Sequence, residues 1–317
     1  RSRRSYTYHI QIFKIIFMMN HFIDISNFKK NELRKFLITA KKIKKNPKKY
    51  LNSLNGKFLG MLFEKQSLRT RLSFSVGMQK MGGSVIEIDA NQIGFGKRES
   101  TKDILSVMSK YLDCLMVRND NHSHLTELSN LNTIPIINGL TDYSHPCQIL
   151  SDIFTVEEKK GRIEKNIIAW IGDFNNVLIS LIQAAEIFEF QLNIIVPKIF
   201  IKKNFINLIK NSKYCTFYSD IKLGLANVNC VMTDVWVSMG EKKSLKKKQI
   251  LKDYQVTDHL MDLANKDAIF MHCLPAHRNE EVVDSVIDSK KSVIFQQAHN
   301  RIFVQQSILL KLLSDDK

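Results

Sequence analysis

Glycine (12) and proline (5) are scarce in these 317 residues, and no tract repeats. Collagen-like and low-complexity architectures are thereby excluded, and a 44% hydrophobic content excludes intrinsic disorder. No run of about eighteen uncharged apolar residues occurs, so no segment reads as a membrane-spanning helix and no membrane partner is expected. The cysteines, at 114, 147, 215, 230 and 273, are odd in number and lack CxxC spacing. That argues against a disulfide framework or a zinc ribbon and for a reducing compartment. Common cofactor signatures are missing as well. No GxGxxG follows an apolar run, and GFGK at 94–97 lacks the upstream Gly and following Ser/Thr of a P-loop. The HSH at 122–124 and the pair His272 and His277 offer no coherent three-ligand spacing, so neither a cofactor nor a metal is expected.

Acidic residues are outnumbered, 31 against 47 basic, for a formal charge of +16. The imbalance invites a nucleic-acid reading, and its location decides the matter. Segments 1–18, 29–49 and 241–252 carry +4, +9 and +5, and the remaining 266 residues net −2. Runs such as KKIKKNPKK, without interleaved aromatics, read as solvated helix faces, and no nucleic-acid partner is expected.

Residues 1–18 are basic and free of acids, but Lys14 interrupts their apolar stretch and no small-residue cleavage site follows. They read as an extension or misplaced start ahead of Met19. Import into an organelle is the lesser alternative to a cytoplasmic location. From residue 57 onward short apolar runs alternate with amphipathic segments, the pattern of repeated βα units. Strands are predicted at 57–63, 84–90, 114–119 and 133–139, then at 167–173, 191–197, 230–236, 268–274 and 292–298. The fold class is α/β, with two domains each built on a central parallel sheet flanked by helices. The boundary falls in the helical segment 145–160, and the last segment reads as a helix that returns to the first half.

In open α/β sheets ligands bind beyond the carboxyl ends of strands, so the polar clusters that follow the apolar runs matter most. SLRTR at 67–71 follows a strand and opens a helix, whose free N–H groups, with Ser67, Thr70 and Arg69, suit a phosphate. Four further clusters end strands: Arg118 in MVRN, His145 to Gln148 in HPCQ, Asp234 to Gly240 in DVWVSMG, and His272 to Pro275 in HCLP. One half thus offers a phosphate and carbonyl site, the other a carboxylate, a thiol and an amide.

The segments FEKQSLRTRLSF, NQIGFGKREST, TIPIINGLTDYSHPCQILSD, IGDFNN, TDVWVSMGEK, HCLPAHRNEEV and NRIF follow the order and spacing of the ornithine carbamoyltransferase family. The chain resembles that family over residues 19–317. The phosphate motif and His-Pro-x-Gln are shared with aspartate carbamoyltransferase, the runner-up. SMG after DVWV, with HCLP, points to ornithine rather than to acetylated ornithine or putrescine.

The resemblance implies a carbamoyl phosphate domain at 19–152, rejoined by a C-terminal helix at 299–317, and an ornithine domain at 153–298. It implies attack of the δ-amine of L-ornithine on carbamoyl phosphate, giving citrulline and phosphate. Ser67, Leu68, Arg69 and Thr70 would hold the phosphate, with Gln92 reaching it from a neighbouring subunit of a homotrimer. Arg118, His145 and Gln148 would contact the carbamoyl group, with Cys273, Leu274 and Arg301 at the same ligand. Asn176, Asp234, Ser238 and Met239 would take the amino acid, and Arg118, His145, Asp234 and Cys273 form the catalytic set. Two departures stand out. Leu68 replaces the family's usual Thr, and Gln297 and His299 replace acidic character ahead of Arg301. A basic nucleic-acid-binding protein on the same fold is the competing class, and it would not require the retained constellation.

Overall fold

A computed structural model describes residues 20–94, 99–237 and 244–314. The extension read at 1–18, and with it Ser238 and Met239, lies outside the described residues. The first half carries helix α1 (Lys30–Lys45), then β1 (Phe58–Phe63), α2 (Leu68–Gln79), β2 (Ser84–Asp89), α3 (Ala90–Ile93) and α4 (Thr101–Met108). It continues through β3 (Cys114–Arg118), α5 (His122–Asn130) and β4 (Ile136–Leu140) into α6 (Pro146–Lys160). The second half follows with β5 (Ile167–Ile171), α7 (Asn176–Phe188), β6 (Gln191–Ile195), α8 (Lys203–Asn211), β7 (Cys215–Phe217), α9 (Ile221–Leu225) and β8 (Cys230–Thr233). It closes with α10 (Leu245–Leu251), α11 (Asp258–Leu263), β9 (Ile269–His272), α12 (Asp284–Ile287) and α13 (Ile294–Leu313).

All strand pairs are parallel, in the orders β2-β1-β3-β4 and β7-β6-β5-β8-β9. The inner strands of such sheets are covered on both faces, so they are largely apolar and successive side chains feed different clusters, whereas the edge strand β2 is largely exposed. Leu59, Met61 and Phe63 of β1, Cys114 and Met116 of β3, and Ile168 and Trp170 of β5 enter one core shared by both halves. Leu62, Leu115 and Val117 face a cluster private to the first half, and Ala169 and Ile171 one private to the second. Trp170 is the largest fully buried side chain, and truncating it to Ala would cost about 3–5 kcal/mol.

The strand predicted at 292–298 does not form. Ser292 makes only an isolated bridge to Phe270, and α13 begins at Ile294, five residues before the expected 299. The β-branched run Val293–Ile294 gave the strand signal, but the helix wins through a buried face that is largely polar: Gln297, Asn300, Arg301, Gln305 and Gln306. The helix does return to the first half. Gln306 Nε2 donates to the Gly77 carbonyl of α2, and a Cβ at Gly77 would meet Gln306 Cγ at 3.2 Å, so glycine permits the close crossing. The three-residue strand β7 was not predicted, being too short to show alternation.

Three of the ten basic residues of 29–49 are paired within the fold, and the other seven are exposed. On α1, Lys30 pairs with Glu164 and Glu189, Arg34 with Glu157 and Glu164, and Lys44 with Glu158. No described helix is long and apolar enough to cross a membrane.

Candidate active site

In each sheet the strand order reverses direction once, between β1 and β3 in the first and between β5 and β8 in the second. A crevice opens at such a switch point, beyond the carboxyl ends of the strands. The two crevices face one cleft of about 730 Å³, lined by Ser67 to Thr70, Arg118, His145, Gln148, Asn176, Asp234, Cys273, Leu274 and Arg301. Every described residue predicted for the site lines this cleft except Gln92, which is exposed on α3 and belongs to no part of the chain's own cleft.

Ser67 takes extended backbone angles (φ −157°) as N-cap of α2, but its hydroxyl does not cap the helix. The first-turn N–H groups, which have no intrahelical acceptor, therefore open to the cleft as an anion site. Leu68, at the first helical position, is 65% exposed, so its side chain contributes little buried packing. Thr70 is fully buried, and its Oγ1 accepts from Arg118 Nη1 (3.2 Å) and from Arg301 Nη2 (2.9 Å). One hydroxyl thus ties together the end of β3 and the middle of α13. The Nε atoms of both arginines are buried without a hydrogen-bond partner.

Burial lowers the pKa of Arg118 to about 10, with repulsion from Arg301 and Arg69 adding to it; Arg301 is lowered to about 10, again chiefly by burial. Arg69 is lowered in the same direction by burial. Concentrated positive charge out of water is costly unless an anion compensates it, so this end is organised to receive one. His145 precedes α6, whose first residue is Pro146, a residue suited to that position because its missing N–H would have had no partner. The imidazole is buried, and desolvation, then Arg301, Arg118 and Arg69, hold its pKa well below the usual 6.5. It is a neutral ring at neutral pH, with Nδ1 buried and unpartnered.

The opposite end is acidic. Gly172, at φ 128°, turns the chain out of β5 and delivers Asp173 to Asn176 to the cleft. Asn175 caps α7 through Oδ1, which accepts from the N–H groups of Val177 and Leu178 (3.0 and 3.1 Å), and its Nδ2 donates to Asp234 Oδ2 at 2.7 Å. Asp234 Oδ1 accepts from the Val235 N–H (2.8 Å) and from the Cys273 thiol (3.1 Å). Asn176 Nδ2 donates to the Thr141 carbonyl at 2.6 Å, which links α7 to the end of β4. Asn175 was missed as a functional residue, although IGDFNN shows two asparagines where a strand passes into a helix. Lys65 pairs with Asp120 and Lys247 with Asp173, so several lining charges are already matched.

Leu274 adopts φ 61°, a left-handed conformation costly for a non-glycine residue by about 1–3 kcal/mol. A buried network holds it there. Its N–H donates to His272 Nδ1 (2.9 Å), His272 Nε2 lies 3.1 Å from Glu281 Oε1, and that oxygen also accepts the His277 N–H (2.6 Å). Because Nδ1 accepts, the ring proton sits on Nε2. The potential ligand atoms of Asp234, His272 and Cys273 cluster within 4.8 Å, yet these hydrogen bonds already engage each of them. Deeper still, Asp152 is 1% exposed, and burial raises its pKa to about 7.

The two departures ahead of Arg301 do not reach the cleft. His299 is exposed and stacks edge-on with Phe303, while Gln297 is buried against Asp152.

The carbamoyl-P binding domain of aspartate/ornithine carbamoyltransferases matches residues 20–158, and the Asp/Orn binding domain of the same family matches residues 164–312. An ornithine carbamoyltransferase of Rhodopseudomonas palustris is 45% identical over 297 residues, covering 92% of this chain and 96% of that one. One from Bradyrhizobium diazoefficiens is 44% identical, covering 91% and 95%. Among solved structures, the ornithine carbamoyltransferase of Pyrococcus furiosus superimposes with a TM-score of 0.88 at 34% identity, covering 94% of this chain and 98% of the other. That of Burkholderia thailandensis gives 0.85 at 34% identity, covering 93% and 99%. With the switch-point cleft, the arginine cluster at a helix N-terminus and both halves matched in order, the chain belongs to the aspartate/ornithine carbamoyltransferase family.

Proposed function

We propose that the protein transfers the carbamoyl group of carbamoyl phosphate to the δ-amine of L-ornithine, giving L-citrulline and phosphate. The observation that carries this reading is the polarity of the cleft. Arg69, Arg118 and Arg301 gather at one end and Asp234 stands at the other, with Cys273 and Leu274 alongside. A doubly charged phosphoryl group suits the first end. An α-ammonium suits the second, and the second carboxylate of aspartate does not.

In this reading Ser67, Leu68, Arg69 and Thr70 bind phosphate through helix N–H groups, hydroxyls and a guanidinium. Arg118 and His145 stabilise the carbonyl oxygen as it gains charge, Gln148 and the Cys273–Leu274 turn hold the carbamoyl nitrogen, and Arg301 supports the same ligand. Donors aimed at a developing oxyanion are worth about 3–4 kcal/mol each in comparable sites. The δ-amine starts with a Lys-like pKa near about 10.4 and must lose a proton before or during attack. The new C–N bond forms as the bond to phosphate oxygen breaks, and no electron is exchanged with a cofactor. Asn176 and Asp234 orient the amino acid; the roles of Ser238 and Met239 rest on the sequence resemblance.

Residues 19–152 with the C-terminal helix, and residues 153–298, are the two binding units in this proposal. Gln92 completes the cleft of a neighbouring copy in a homotrimer, which its exposure on α3 outside its own cleft supports. The reducing environment suggested by five unpaired thiols supports a cytoplasmic setting. The test is carbamoyl transfer assayed in parallel with ornithine, putrescine, N-acetylornithine and aspartate. Citrulline from ornithine alone is expected, and none from ornithine would sink the reading.

A further inference from the structure

Asp152 does not line the cleft, yet it touches both walls through other side chains. It sits one turn after Gln148 on α6, and its Oδ1 accepts from Gln148 Nε2 and from Gln297 Nε2, each at 2.8 Å. Gln297, on α13, in turn accepts the N–H of His272 at Oε1, 3.0 Å away. His272 ends β9 and immediately precedes Cys273.

A carboxylate offers only acceptors, whereas a glutamine amide has one face that donates and one that accepts. A glutamine can turn its amide over at little steric cost, so a neighbour must choose its orientation. Asp152 makes that choice twice. With Nε2 of Gln148 turned toward Asp152, the group that side chain retains for the cleft it lines is the carbonyl oxygen Oε1. With Nε2 of Gln297 turned the same way, Oε1 remains to fix the backbone of the strand that delivers Cys273 and Leu274. A single buried carboxylate thereby sets an acceptor on the first half and the position of a turn on the second.

We propose that Asp152 is a positioning residue for the carbamoyl end of the substrate. It acts through Gln148 and Gln297, and makes the cleft select a ligand whose N–H₂ group lies beside its phosphate. This rests on the reading of the cleft as a carbamoyl phosphate site. The bare phosphate end, held by α2 and the arginines, does not depend on it.

That separation supplies the test. Wild type, Asp152→Ala, Gln148→Ala and the double variant are compared for KM toward carbamoyl phosphate, kcat, and inhibition by inorganic phosphate. Asp152→Ala is expected to raise the KM for carbamoyl phosphate by about 10–100-fold while the phosphate inhibition constant moves by less than about 2-fold. Gln148→Ala added to Asp152→Ala should cost less than about 3-fold more, because the two act as a unit. Parallel weakening of both ligands, independent multiplication of the two losses, or an unchanged KM would each overturn the proposal. Retained phosphate inhibition also reports a folded cleft. If Asp152→Ala does not fold, Asp152→Leu, which comes close to the shape and removes both acceptor oxygens, is read by the same criteria. Wild-type enzyme that makes no citrulline would defeat the functional reading itself; an active wild type with the overturning pattern defeats only the role of Asp152.

Discussion

Cys273 Sγ donates to Asp234 Oδ1 across 3.1 Å, so the only cysteine that lines the cleft is bonded to its acidic anchor. Burial first, and Asp234 next, push the thiol well above its usual pKa of 9. Attack by sulfur needs the thiolate, and this environment suppresses it. Transfer should therefore be direct. Cys273→Ala is expected to keep turnover within about 100-fold of wild type, the loss reflecting position rather than chemistry. Mass spectrometry of enzyme quenched with carbamoyl phosphate should show no carbamoyl adduct, and a trapped adduct on Cys273 would refute direct transfer.

Thr70 is the shared acceptor for Arg118 and Arg301. Thr70→Val keeps the volume and removes the oxygen, leaving two buried guanidiniums short of a partner. A hydrogen bond to a charged group is worth about 1.5–3 kcal/mol, so carbamoyl phosphate affinity should fall by about 10–150-fold. The KM for ornithine should change little, because Asn175 and Asp234 are untouched. Steady-state kinetics with each substrate varied in turn decides it, and equal losses for both would show that Thr70 holds the whole cleft rather than one end.

Most of the fold was legible because parallel strands buried on both faces are continuous apolar runs, as in IIAWI and CLMVR. The start of α13 was not, because its inward face carries Gln297, Asn300, Arg301, Gln305 and Gln306, and apolar periodicity is blind to a helix that buries polar side chains. The site divides the same way. Ser67, Arg69, Arg118, His145 and Asp234 end strands or open helices, where chemistry is expected. Asn175 holds Asp234 from 59 positions away, Asp152 joins Gln148 to Gln297 across 145 positions, and Glu281 holds His272 behind Leu274, contacts that only the folded arrangement discloses.

His145 gives a signed pH effect. Unfolded, it titrates near about 6.5, and folded it titrates well below, first through burial and then through Arg301, Arg118 and Arg69. Above the unfolded value both states are neutral there and the residue contributes nothing. As pH falls below it, the unfolded chain takes up a proton that the folded chain refuses, and stability declines until the folded pKa is reached. The slope from one such group is at most about 1.4 kcal/mol per pH unit. Urea unfolding at pH 7.5, 6.5 and 5.5 should show wild type losing stability relative to His145→Gln as pH drops, and a pH-independent difference would contradict the buried neutral ring.

Leu68 is the simplest site to repair. It stands at the first position of α2, lines the cleft, and is 65% exposed, so replacing it removes little buried apolar area. A threonine there would add a hydroxyl beside the free first-turn N–H groups, where the phosphate is proposed to sit. One added hydrogen bond at about 0.5–1.5 kcal/mol predicts a gain of about 2–12-fold in affinity for carbamoyl phosphate in Leu68→Thr. The β-branched residue costs a few tenths of a kcal/mol in helix propensity, so the melting temperature should scarcely move. Ornithine kinetics should stay the same, since Asp234 and Asn175 lie at the other end. Binding measured directly, with inorganic phosphate as a second ligand, separates the cases. Tighter binding of both ligands places the hydroxyl on the phosphate, and unchanged affinity for both would mean that the helix N–H groups already satisfy it.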